Sequence, residues 1–227
     1  MLRLLGVVAA ALVLSSIAFA QTVETENWCR AGFFTTESDN FRIATVTGGI
    51  KSRINFYDDF EDGCPGKETC RSRAYLVPGN RVVISRSYSG FGCAWYAPIK
   101  GSPTVGWIKL ESLKFADVTG QPRLSDWLGE WRYASNSIKF TNHKLARYLN
   151  VTGDALWHGL GDNVHVGELD DRAEPVGNLL KIGETDTDEY AGKVTVRLIG
   201  EFLVAADNMK CGGVNVTFSG VYRKSRR

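Results

Sequence analysis

Histidine, methionine and proline are scarce in this 227-residue sequence, at 3, 2 and 6, and neither sign of charge dominates, with 27 basic residues against 25 acidic. The shortage of histidine leaves little room for His-dependent nucleophilic chemistry: His143, His158 and His165 have no serine, cysteine or acidic companion in a recognisable nucleophile arrangement. The even charge gives no footprint for nucleic acid and no steering field. No glycine-rich loop joins a strand to a helix in the way that cradles phosphate, so no cofactor and no catalytic residue are nominated. After Ala20 no stretch is long and apolar enough to cross a bilayer.

One apolar run is present, at the start. Arg3 precedes the unbroken stretch Leu4 to Leu14, and Ala18-Phe19-Ala20 has the small-x-small form of a signal-peptidase site. As a helix the run would reach only about 16 Å of a ~30 Å hydrocarbon core, so a cleaved leader is expected over residues 1–20 rather than an anchor. Gln21 stands where a lipid-anchored protein would carry cysteine. The expected localisation is periplasmic or secreted.

All five cysteines, Cys29, Cys64, Cys70, Cys93 and Cys211, lie beyond that leader, where an oxidising compartment lets disulfides persist. Cys64 and Cys70 bracket the turn-rich Pro65-Gly66-Lys67-Glu68-Thr69, and a disulfide there would restrict the unfolded chain by roughly 2 kcal/mol. Zinc is the rival, but further Cys or His ligands at matching spacing do not lie nearby. Pairing among Cys29, Cys93 and Cys211 stays open, and one cysteine must be left over.

The 24 glycines punctuate short β-branched and aromatic segments, the pattern of an all-β chain. Strands are expected at Phe41 to Val46, Ile54 to Tyr57, Arg81 to Tyr88, Cys93 to Pro98 and Val105 to Lys109. A polar stretch, 116–125, reads as a linker. Beyond it Glu130 to Phe140 and Leu145 to Trp157 read as a hairpin around Asn142-His143, and Val194 to Leu198 and Val214 to Phe218 alternate as half-buried strands.

The order Tyr75-Leu76-Val77-Pro78-Gly79-Asn80-Arg81-Val82-Val83-Ile84, then Cys93-Ala94-Trp95-Tyr96, Val105-Gly106-Trp107-Ile108 and Leu113, resembles the closing half of a bacterial SH3-type domain over about Arg53 to Leu113. Farther on, Trp127-Leu128-Gly129-Glu130-Trp131 resembles the Gly-x-Trp start of calycin-type barrels, whose late arginine over the tryptophan would here be Arg197 or Arg223. The run Asp207 to Arg223 is similar to the closing strands of an uncharacterised module of exported bacterial proteins. The resemblances imply a small SH3-like barrel at 28–115 and a second antiparallel, calycin-like barrel or sandwich at 126–223. A loose segment, 21–27, would precede them and a basic tail, 224–227, would follow.

In the SH3-type family exposed aromatics can form a shallow groove for peptidoglycan stem peptides, which nominates Tyr88, Trp95, Tyr96 and Trp107. Core filling competes with that role, most of all for Trp107 after Gly106, and adjacent Trp95 and Tyr96 must face opposite ways. His158, His165 and Asp162 lack a longer metal signature, and no metal is expected. The acidic stretches Asp58 to Asp62, Asp170-Asp171 and Glu184 to Glu189 fit solvated turns better than a glycosidase pair or a calcium loop. The resulting expectation is a non-catalytic envelope protein binding peptidoglycan or a protein partner. The alternatives are a carrier with an apolar lumen behind Trp131, or an inhibitor of an envelope hydrolase.

Overall fold

The computed structural model describes residues 28–99, 101–117, 121–185 and 187–225; the expected leader, the segment 21–27 and the last two arginines lie outside them. The fold is all-β, in two antiparallel sheets. The first comprises β1 (Arg42–Val46), β2 (Ile54–Tyr57), β3 (Arg71–Leu76), β4 (Arg81–Tyr88), β5 (Phe91–Tyr96), β6 (Thr104–Lys109) and β7 (Leu113–Phe115), in the order β3-β2-β6-β5-β4-β1-β7. A 3-10 turn, Leu110–Ser112, joins β6 to β7. The short helix α1 (Leu124–Trp127) follows, then the second sheet.

That sheet contains β8 (Gly129–Tyr133), β9 (Asn136–Asn142), β10 (Leu149–His158), β11 (Val164–Ala173), β12 (Leu179–Ile182), β13 (Val194–Ile199), β14 (Phe202–Asp207) and β15 (Gly220–Lys224). Its order, β11-β10-β9-β8-β15-β14-β13-β12, brings the two end strands together in a nearly closed barrel. Asp171 on β11 bridges the remaining gap by accepting a hydrogen bond from the Gly183 N–H beyond β12 (2.8 Å). The interior is filled by side chains: Trp127, Trp131, Phe140, Phe218 and Tyr222 are all buried in it with a dozen or so aliphatics.

Burial explains the unbroken apolar run in β4 and β5. Strands covered on both faces have no polar side to alternate with. Ala44, Phe56, Val82, Ile84, Ala94 and Ile108 fill the inside of the first sheet. Its outer face is covered twice. The segment from Trp28 lies over Cys93, Trp107, Tyr57 and Phe91, fastened by a Cys29–Cys93 disulfide. Beside it Ile43, Val83 and Trp95 pack against Ile199, Phe202, Val204 and Val221 of the second sheet. Gly200, at φ +56° in the β13–β14 turn, lets Ile43 approach where a Cβ would collide.

Several strand expectations need correction. Glu130 to Phe140 is two strands, β8 and β9, turning at Ala134-Ser135, where Ala134 takes φ +49°. Val214 to Phe218 forms no regular strand, and its alternation holds only in part, since Val216 and Phe218 are buried while Val214 is exposed. Asp207 binds this backbone instead: its carboxylate accepts from the Phe218 N–H (2.7 Å), the Thr217 hydroxyl (2.8 Å) and the Ser219 hydroxyl (3.0 Å). The expected tail at 224 starts inside the sheet, since Lys224 belongs to β15 and the Ser225 N–H donates to Glu130 O (2.7 Å).

Candidate functional site

The four nominated aromatics do not form one groove. Trp107, on β6 opposite Cys93, is fully buried, with the Tyr88 ring 6.1 Å away. Trp95, opposite Val83 on β4, is buried between the sheets and meets Phe202 edge-to-face at 5.9 Å. Burial on the outer face, rather than in the barrel interior, removes both from contact with a ligand. Tyr96 is half-buried and packs toward the interior, as its position after Trp95 requires. Tyr88 alone of the set is well exposed, at the end of β4.

What the first sheet does present is a cationic hollow. The β2–β3 hairpin, the end of β6 and the 3-10 turn enclose about 230 Å³ lined by Arg53, Asn55, Tyr57, Arg71, Lys109 and Ser112, and by the one carboxylate of Glu111. Arg71 is held by Asn55 Oδ1 (2.8 Å) and Glu68 Oε1 (3.0 Å). Arg53 lies over the Tyr75 ring at 4.6 Å, and the Lys109 ammonium is 5.6 Å from the Tyr57 ring. A guanidinium held by Asn55 and Glu68, a second one over Tyr75 and an amine can together receive a carboxylate. The signal missed in the sequence is the alternation of Arg71-Ser72-Arg73-Ala74-Tyr75-Leu76, a charged edge strand just after the cysteine loop.

A larger groove of about 860 Å³ is lined by Phe41, Pro122, Asp126, Ile199 and Lys224 together with Trp131 and Leu198 of the second sheet's core. Arg123, through its backbone N–H and its guanidinium, holds the Asp126 carboxyl below the usual range. The cation over Trp131 is Lys224, 5.2 Å from the ring, rather than either nominated arginine. Arg197 pairs with Asp39, and the Arg223 guanidinium lies 5.3 Å from the Phe202 ring and 5.8 Å from Trp95.

The expected Cys64–Cys70 disulfide is present. Among the described residues the grouping closest to a metal-ligand set is Asp58 with Cys64 and Cys70, and the disulfide consumes both of its thiolates. His165 and His158 stand at facing strand ends, as expected, but His165 Nδ1 is 2.5 Å from Val214 O and its ring packs on Trp157. Cys211 is the free cysteine. It is buried, and burial pushes its thiol up to about 11, away from reactive thiolate character. No family model matches the chain, and neither the curated proteins nor the solved structures contain a match.

Proposed function

We propose that the chain is a non-catalytic binding protein of the bacterial cell envelope, which contacts peptidoglycan stem peptide through its first, SH3-type domain. The hollow of Arg53, Arg71 and Lys109 carries this reading. Stem peptides are short and bear free carboxylates that these cations can pair with. The SH3-type reading draws support from the strand order, in which β1 pairs with both β4 and β7, the β2–β3 hairpin is interposed, and a 3-10 turn precedes the last strand. Two disulfides, and the lack of a membrane-crossing helix among the described residues, are compatible with an extracellular protein.

The test is co-sedimentation of the chain from Gln21 onward with insoluble peptidoglycan. Binding is expected, with Arg53→Glu plus Lys109→Glu weakening it by about tenfold, equivalent to 1.4 kcal/mol. Sedimentation no better than a control protein, or insensitivity to both reversals, overturns the reading.

A further inference from the structure

The β10–β11 hairpin carries an outer face that the barrel does not use. Its cross-strand pairs run from base to tip as Thr152 with Asp170, Asp154 with Glu168, Leu156 with Val166, and His158 with Val164, and Leu160 stands in the turn. All of these side chains are exposed, Leu160 almost completely. Beyond Asp154 the hairpin outruns β9, whose pairing with β10 ends at Ser137. The tip is supported from behind, where the Gly213 N–H donates to Val166 O (3.1 Å) and the Leu156 N–H donates to Asn136 Oδ1 (3.1 Å), while its outer face carries no covering segment among the described residues. An exposed apolar surface of this kind marks a contact site.

The acidic half is unusual on its own terms. Asp154 and Glu168 face each other directly, an arrangement that destabilises a sheet. Neither they nor Asp170 joins an ion pair among the described residues; Asp154 has only a long contact with the Ser137 hydroxyl (3.5 Å). On β9 the neighbouring positions are Ser137 beside Asp154 and Lys139 beside Thr152, one pair away. Lys210 lines a hollow with Glu168 and Asp170, but its ammonium donates to Glu189 O. An apolar tip backed by carboxylates without an ion-pair partner among the described residues selects among occupants. A second copy would bring the same acidic rows to an isologous contact, and an anionic membrane would be repelled.

We propose that this face docks a basic polypeptide, one presenting short apolar side chains flanked by lysine or arginine. Leu156, Val164 and Val166 bury the apolar residues, while Asp154, Glu168 and Asp170 pair with the cations. The surface is separate from the Arg53–Lys109 hollow and gives the second domain a recognition role of its own.

The experiment titrates the chain from Gln21 onward with three synthetic strand peptides, alternating Lys–Val, Glu–Val and Lys–Ser, and follows backbone amide shifts. The Lys–Val peptide is expected to bind and to shift β10 and β11 amides. Asp154→Asn with Glu168→Gln should weaken it by about tenfold, as should Leu156→Ser with Val166→Ser. Peptidoglycan sedimentation should be unchanged by either pair, which separates this proposal from the previous one. Removing the like-charge pair should leave the melting temperature equal or higher, so lost binding cannot be ascribed to unfolding. Equal binding of Glu–Val or Lys–Ser, shifts confined to other strands, or self-association abolished by the Leu156 and Val166 changes overturns the proposal.

Discussion

Cys211 illustrates how one residue's surroundings decide its chemistry. The loop that carries it crosses Gly167 and Gly192, where the backbones lie too close for any Cβ on either glycine, and the thiol points at Lys193 O (3.9 Å). A thiol held near 11 in the native chain ionises earlier once unfolded. The native state then binds more protons, so its contribution to stability is complete below the ordinary thiol range and is lost as pH rises toward about 11. Tyr222, also pushed up by burial and donating to Phe218 O (2.7 Å), acts in the same direction. Urea midpoints should therefore fall between about pH 9 and pH 11, and Cys211→Ser should flatten part of that fall. Iodoacetamide at pH 8 should label the folded chain negligibly and label one thiol after denaturation without reductant; rapid native labelling would contradict the burial.

Among the elements, the closing segment before β15 depends on one carboxylate. Asp207 ends β14 and holds Thr217, Phe218 and Ser219, so the chain delivers Phe218 to the barrel interior without a strand ladder. Asp207→Ala leaves a half-buried N–H and two hydroxyls without their acceptor, and should cost about 2–3 kcal/mol in urea unfolding. A loss below about 0.5 kcal/mol would mean that water replaces the carboxylate freely. This device also marks the limit of sequence reading. The period-two burial of Val216 and Phe218 was legible, because it reports side-chain environment; the absent ladder was not, because it follows from Asp207, seven residues earlier than Val214. The same division holds in the first sheet. Apolar strands such as Arg81 to Tyr88 announced themselves, whereas β3 and the hollow it borders were hidden by the charges that suit an exposed edge. Trp95 and Trp107 were readable as large aromatics to be placed, but which surface would cover them depends on contacts more than a hundred residues apart for Trp95 and on a disulfide for Trp107.

For the whole molecule, the seam between the sheets is a core in its own right. Trp95, Ile43 and Val83 meet Phe202, Ile199, Val204 and Val221, with Arg81 and Glu201 paired at the rim (2.8 Å). The rim pair is about half exposed and contributes little. Trp95→Ala should cost about 3–5 kcal/mol and divide thermal unfolding into two transitions, visible by calorimetry. A single transition at the wild-type temperature would show the seam to be energetically idle. The seam also constrains how this gene can be handled. A cut anywhere in 116–125 looks natural from the polar composition there, yet each product would carry away half of an apolar interface, a plaque of Ile43, Val83 and Trp95 on one fragment and of Phe202, Val204 and Val221 on the other. Fragments made that way would be expected to clump or to recombine with each other, so the smallest piece suited to crystallisation, display or fusion is the two-sheet unit kept intact.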